Sequence, residues 1–518
     1  MRKSIKIKFS KLFLLVLTTA FVFTSLKAQN DDLVVYDNYN STVKNHKFRI
    51  RDSFSLFMTE FKGDIQVSDD DKMITGISPG GFLKIYKKTF GNKRGLEIKE
   101  IYGKLIFDYY SGNKKRPFEP EGKEWLSEIL PEVIRTTGIN AKQRVDRFYK
   151  KGGINAVLSE IRIIPNDAIK IKYYKPLLAK TSLSSNDLIK IAASIAKELS
   201  YDSSKSDLLN NLSSKFLQSE NSSLAFFDIV KSMSYDTEKN KVLEKLEIEK
   251  LSDKQKSGYL GAVQSMSYDS EKAKALIDYN GSFHQDKNLS EQYFSTIKNM
   301  SYDSYRSKVL NDLLNKEKLD AFSFEQIILS LKSFSYDSEM LKVLLKVNKQ
   351  FANYKNISNN YFRVYQSMSY DSYQKQGLND FLDRNKLSDQ QMIGLFEVLT
   401  HFSYDSYQRE VLLQAIPKMT LNNQVVDAFF ATVKSMSYDS EMERVIINLV
   451  ENRNLTDYAV SSVLKASKLL SYDSSKVRVL KSVKKYVSNS PELKAEFKLA
   501  VKGINSDSEY RNLMDEMD

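Results

Sequence analysis

From residue 166 onward, apolar side chains fall at helical spacings, and the pattern restarts almost every 34 residues. Its marker is Ser-Tyr-Asp-Ser (Thr once replaces the last Ser), with aspartates at Asp202, Asp236, Asp269, Asp303, Asp337, Asp371, Asp405, Asp439 and Asp473. Successive intervals are 34, 33 and then 34 six times. Three residues before each aspartate stands an apolar residue, among them Leu199, Met233, Phe334, Met436 and Leu470. Six and seven residues after it the pattern returns, as in Val309-Leu310, Val343-Leu344 and Val411-Leu412, and ten after it come Leu246, Leu313, Val347 and Leu449. Such spacing lays one buried stripe along a helix. A fixed period of this size means a stack of like units, each too small to bury a core alone.

The aspartate at the start of that helix reads as its N-cap, accepting a hydrogen bond from a free backbone N–H near the positive end of the helix dipole. The preceding helix has its own start signals in Leu251-Ser252-Asp253, Leu289-Ser290-Glu291, Leu387-Ser388-Asp389 and Leu455-Thr456-Asp457. Leu251 lies 18 residues before its aspartate and Leu289 only 14, which predicts a first helix that varies in length by one turn. Asp167 and Asp507 continue the register and read as decayed first and last copies, as expected of ends that face water. Residues 166–518 are therefore expected to form an elongated α-solenoid of about ten helix-turn-helix repeats, so the fold class is mainly α. The tetratricopeptide period is the same, but its Trp and Leu-Gly-x-x-Tyr landmarks are missing.

Residues 48–118 alternate at period two instead. Phe61–Val67, Phe82–Tyr86, Gly95–Lys99 and Lys104–Tyr109 read as strands, separated by Ser68-Asp69-Asp70-Asp71, Ser78-Pro79-Gly80-Gly81, Gly91-Asn92 and Ser111-Gly112-Asn113. This predicts a small antiparallel β domain with one buried face. From Pro120 the period becomes helical through Trp125, Leu126, Ile129, Leu130, Val133 and Ile134, so 119–165 are expected to be connecting helices.

Export is the expectation at the N-terminus. Arg2, Lys3, Lys6, Lys8 and Lys11 precede an apolar run from Leu12 to Phe23, and Lys27-Ala28-Gln29 offers a cleavage point. Residues 1–28 read as a signal peptide and 29–47 as a linker. Export places the chain in the periplasm or the medium, with no transmembrane segment once the signal is cleaved. Removing the six basic residues of 1–28 lowers the net charge from +13 to +7, mild for a chain whose lysines and glutamates are interleaved. That balance and the export signal argue against a nucleic-acid partner, including the base-by-base reading of a pentatricopeptide array. With no cysteine there is neither a disulfide framework nor a cysteine lipid anchor.

Ile77-Ser78-Pro79-Gly80-Gly81-Phe82-Leu83-Lys84-Ile85, Trp125-Leu126 through Leu130-Pro131 to Ile134-Arg135, Arg144-Val145, Gly152-Gly153 and Ala156–Ile161 together resemble an uncharacterised bacterial extracytoplasmic module. In that family the module is often followed by helical repeats. It extends membrane metallopeptidases similar to beta-lactam sensor-transducers, and some anti-sigma-type membrane proteins. The resemblance spans about residues 60 to 515 and implies an envelope sensing or regulatory setting. This chain has no His-Glu-x-x-His, so the family's peptidase activity passes to none of its residues.

No other catalytic constellation replaces it. Histidines are His46, His284 and His401, none in a metal-ligand motif, and there is no Gly-x-Ser-x-Gly or Walker loop. Asp69-Asp70-Asp71 lacks the alternating oxygens of a calcium loop and reads as a polar turn. No cofactor or metal is expected, and the chain is read as non-enzymatic. Tyr201, Tyr235, Tyr268, Tyr302, Tyr336, Tyr370, Tyr404, Tyr438 and Tyr472 form a ladder by position. Identity in every copy favours rings packed between repeats; exposed rings would instead suit a glycan or an extended peptide. Two residues after the aspartates, Glu271, Tyr305, Glu339, Tyr373, Tyr407 and Glu441 vary and are expected to face a partner. The expectation is an exported scaffold for protein–protein interaction, with a glycan-binding module, using the tyrosines or the β domain, as the alternative.

Overall fold

The structure, a computed structural model, describes residues 34–38, 45–278, 280–282, 286–316, 319–354, 360–487 and 490–515; the expected signal peptide and His284 lie outside these. Helices follow one another in a repeat-like series after an N-terminal antiparallel sheet. The chain forms two compact units, Met1–Glu238 and Lys239–Asp518.

In the first unit the strands are β1 (Val34–Asn38), β2 (Asn45–Arg51), β3 (Ser55–Lys62), β4 (Ile65–Val67), β5 (Ile74–Ile77), β6 (Phe82–Thr89), β7 (Asn92–Ile101), β8 (Lys104–Ser111) and β9 (Lys114–Arg116). Among the described residues the main sheet runs β1-β2-β3-β6-β7-β8-β9, and β4-β5 is a separate hairpin. Alternation drives this arrangement. Phe57, Phe61, Leu83, Ile85, Leu96, Ile98 and Tyr109 are buried on one face. On the other, Lys47 meets Glu60 at 3.5 Å and Lys84 meets Glu97 at 3.1 Å. Two expectations need correction. The sheet begins at Val34 inside the segment read as a linker. Phe61–Val67 is not one strand, because the chain turns at Gly63 (φ +81°), where a Cβ would lie 2.2 Å from Ser78 Oγ.

Helix α1 (Lys123–Thr137) covers the buried face through Trp125, whose ring lies 6.0 Å from Tyr109. Helix α2 (Ala141–Arg162) bends at Gly152-Gly153, and α3 (Asp167–Leu178) follows. Arg144 on α2, only 1% exposed, joins three elements. Its Nη2 donates to Asp71 Oδ2 at 2.8 Å and to Glu160 Oε1 at 3.0 Å, and its Nη1 donates to Tyr173 Oη on α3. Arg147 donates to Asp71 and to the Ser68 carbonyl, and Arg135 to Glu160. The acidic turn between β4 and β5 is thus held by arginines, which explains why Asp71 is not free for a metal.

In the second unit the repeat is more regular than the sequence implies. First helices begin at Asp253, Lys287, Ala321, Asp389, Asn423, Asp457 and Pro491, each 16 residues before the next aspartate of the motif. Their caps are Ser252, Asp286, Asp320, Ser388, Asn422, Thr456 and Ser490, each accepting a backbone N–H. The expected one-turn variation is therefore absent at Leu289: Asp286 is an equally good cap, and Ser290 is buried inside the helix. The apolar stripe is core throughout, with Met300, Val309, Leu310, Val343, Leu344, Val411 and Leu412 fully buried.

A candidate binding face along the tyrosine turns

Each motif aspartate is the first residue of its helix, as at Asp337–Gln350 and Asp371–Arg384. The expectation that it caps that helix is overturned. The N-cap residue is the tyrosine, Tyr336 or Tyr370, and no side chain caps the helix. The carboxylate instead reaches the following repeat. Asp337 Oδ2 accepts from Ser369 N at 2.8 Å and from Tyr370 N at 2.7 Å. Asp269, Asp303, Asp371, Asp405 and Asp439 make the same pair of bonds to the next Ser-Tyr, at 2.6 to 2.9 Å. In the first unit, Asp167 binds Ser200 and Tyr201, and Asp202 binds Ser234 and Tyr235. The cause is geometric. A turn between two helices leaves two adjacent N–H groups pointing along the stack, and the neighbouring carboxylate satisfies both. Asp236, also read as a cap, begins its helix at Asp236–Leu243.

The residue three after the aspartate completes the junction. Lys239 donates to the Ser265 carbonyl at 2.8 Å. Arg306 donates to the Ser333 carbonyl at 2.8 Å and pairs with Asp303 at 3.1 Å. Lys476 donates to the Gly503 carbonyl at 3.0 Å and pairs with Asp473 at 3.3 Å. These cations cover carbonyls at helix C-termini, where the dipole favours them.

The variable positions expected to face a partner contact the neighbouring repeat as well. Asn240 Nδ2 donates to Glu271 Oε2 at 2.6 Å, Ser307 Oγ to Glu339, and Arg409 Nη1 to Glu441. Lys375 Nζ lies 4.5 Å from the centre of the Tyr407 ring. Tyr305 and Tyr373 meet the motif tyrosine of their own turn, Tyr302 and Tyr370.

The motif tyrosines do the opposite of what packing predicts. The residues are 63% to 70% exposed in all nine copies. Their backbone N–H is what the aspartate uses, and any residue but proline supplies one. The last copy in the chain shows this. The Asp473 carboxylate binds Asn505 N at 2.9 Å and Ser506 N at 3.1 Å, where no tyrosine is present. The junction therefore forms without the ring. Three rings of the second unit gain an aromatic neighbour: Tyr302 with Tyr305, Tyr370 with Tyr373 and Tyr404 with Tyr407, at 6.4, 6.3 and 5.6 Å between centres.

Four residues before these tyrosines, the last turn of the preceding helix carries Gln264, Lys298, Lys332, Gln366, Thr400, Lys434 and Lys468, with no acid among them. The four lysines are exposed. Lys298 and Lys332, from consecutive repeats, line one surface groove of about 570 Å³ together with Glu291, Phe294, Gln326 and Ser333.

His46 stacks on Phe61 in the sheet at 4.8 Å, and His401 is exposed at a helix end. Among the described residues no three His, Cys, Asp or Glu side chains come together as a metal site. Within the same residues no helix is long and apolar enough to cross a membrane. The Arg144 junction was missed by sequence reasoning. The sequence marks Arg144 only within the Arg144-Val145 pair of the family resemblance, and nothing local marks Asp71 and Glu160 as its partners.

No family model and no curated protein matches the chain. Among solved structures, one described as "Computational Design of Self-Assembling Cyclic Protein Homooligomers" aligns over 64% of this chain and 98% of its own, at 10% identity and a TM-score of 0.10. A TM-score that low bears on neither fold nor function.

Proposed function

We propose that this chain is an exported, non-enzymatic helical-repeat scaffold whose binding face is the row of tyrosine turns within residues 239–518. One observation carries the reading: the same aromatic ring is displayed to solvent in nine successive copies, although the junction it belongs to forms without it. A large ring left in water contributes little to folding, so its repetition points to contact with something outside the chain. Glu271, Glu339 and Glu441, among the positions first expected to receive a protein partner, are engaged in repeat-to-repeat contacts, which favours the tyrosines as the common surface. Identical sites at a fixed interval suit an extended partner that touches several turns at once, where weak contacts add by multivalency. The helical-repeat architecture is compatible with such a role.

The test compares the full chain with a variant in which Tyr302, Tyr336, Tyr370 and Tyr404 are replaced by serine. Both are passed over immobilised cell-envelope material after their folding has been matched by circular dichroism. Retention of the parent and loss of the variant is the expected result. Equal retention of both would remove the tyrosine row as the binding face.

A further inference from the structure

We infer that the tyrosine face of residues 239–518 takes a linear polysaccharide bearing carboxylate groups, with sugar rings on the tyrosines and carboxylates against the neighbouring lysines. The inference rests on the reading of the tyrosine row as a binding face and names its ligand class.

Three features select the ligand. The first is the loss of main-chain recognition. Extended peptides are gripped largely through backbone hydrogen bonds. Here the two N–H groups that each turn could offer are already held by the preceding aspartate, as at Ser369 and Tyr370. What remains is ring faces and side-chain donors. Tyrosine combines an apolar face with a polar tip, which matches a sugar with its C–H face and hydroxyl rim.

The second feature is charge. Lys298, Lys332, Lys434 and Lys468 stand exposed in the last helical turn before four of these tyrosine turns. Helix dipoles account for basic residues there, but not for a bare aromatic ring four residues later. Along the chain the two rows set a cation four residues before an aromatic ring in four repeats, and Lys332 also donates to Asn360 Oδ1 at 2.6 Å. Single-stranded nucleic acid is bound by a similar pairing. A phosphodiester chain, however, carries a charge on every nucleotide, and the lysine row offers at most one cation per repeat.

The third feature is spacing. The second helices of neighbouring repeats pack on one another, as Asp337–Gln350 does on Asp371–Arg384. Packed helices lie about 8–10 Å apart, the span of about two sugar rings. One tyrosine per repeat, with a cation in four of the seven, therefore matches a polymer whose carboxylate recurs on every second sugar.

The experiment is affinity electrophoresis and calorimetry of the full chain with hyaluronan and unsulfated chondroitin, in both of which the carboxylate recurs on every second sugar. An uncharged β-glucan, polyglutamate and oligothymidylate serve as comparison polymers. Binding to at least one acidic polysaccharide is expected, tightening at least tenfold from a tetrasaccharide to a dodecasaccharide as more turns engage. The serine variant at Tyr302, Tyr336, Tyr370 and Tyr404 is expected to weaken it at least tenfold. Replacing the four lysines by glutamine is expected to weaken it severalfold and to flatten its salt dependence. Equal binding of polyglutamate or oligothymidylate would overturn the inference, as would equal binding of the uncharged glucan. Failure of both acidic polysaccharides would also overturn it. If they fail while the serine variant still loses retention on envelope material, the binding face stands and only the ligand class falls.

Discussion

The chain is held together in two ways. In the first unit, one buried guanidinium gathers a hairpin turn, its own helix and the helix after it: Arg144 touches Asp71, Glu160 and Tyr173. In the second, a small junction is repeated, one carboxylate against two N–H groups, with the same bonds at Asp269, Asp303, Asp337, Asp371, Asp405 and Asp439. The first arrangement is unique and concentrated. The second is distributed, so no single copy carries much of the load, and surface positions between copies are left open for other uses. A repeat array couples each unit mainly to its neighbours, whereas a buried ionic hub fails as a whole.

The largest expected effect comes from breaking the hub. Arg144→Met leaves Asp71 and Glu160 without their shared partner in a buried setting, and removing one member of such a network costs about 3–5 kcal/mol. Hydrogen exchange should show lost protection from the hairpin 68–73 through α3, with little change beyond residue 239. Protection that stays intact around residues 68–73 would show that packing, not the arginine, holds the hairpin.

Removing one junction should matter less, and in a telling place. Asp337→Ala strands two N–H groups, at a cost of about 1–3 kcal/mol. Loss of exchange protection should fall on Ser369 and Tyr370, in the following repeat, and not on the first turn of the helix at Asp337–Gln350. The reverse pattern would restore the N-cap reading.

That contrast also explains what could be read in the sequence. Period is a property of the chain itself, so the helix-turn-helix unit, its buried stripe at Val309-Leu310 and Val343-Leu344, and the sheet before it are legible without coordinates. Direction is not. An aspartate at a helix start has the same neighbours in sequence whether its carboxylate turns back to its own helix or on to the next repeat. The local rule favours the first, and stacking supplies the second. The same limit applies to the tyrosines. Repeated identity signals a repeated constraint without saying which part of the residue is constrained. Here the N–H is held by the aspartate and the ring is left in solvent. Arg144, used once and bonded to a residue 73 positions away, has no periodic echo at all.

Acid should act on the array at its end. Burial works to raise the Asp473 pKa, but the N–H of Asn505, the Lys476 ammonium and the N–H of Ser506 outweigh it and hold the carboxyl below its usual value. A carboxylate with a depressed pKa contributes stability above its unfolded pKa of about 3.9, and that contribution is lost as pH falls through the lower folded value. Amide exchange at Asn505 and Ser506 is therefore expected to quicken below about pH 4, ahead of any change in Asp473→Asn, which carries no titrating group. Identical acid profiles in the two proteins would show that this carboxylate does not govern the terminal junction.

The smallest expected effect is the most discriminating. Tyr336→Ser keeps the N–H that Asp303 Oδ2 holds at 2.9 Å and removes only a ring standing in water. Surface substitutions of this kind change stability by about 0.5 kcal/mol or less. Asp303→Ala, one bond away on the other side of the same junction, should lower stability by about 1–3 kcal/mol while leaving every ring in place. Measured by denaturant titration alongside binding, the two variants separate the roles carried by one turn. The serine variant should be stable and weaker in binding, and the alanine variant less stable with its remaining turns still able to bind. A Tyr336→Ser protein destabilised as strongly as Asp303→Ala would mean that the ring is part of the junction after all, and the tyrosine row would become a packing feature that happens to be exposed.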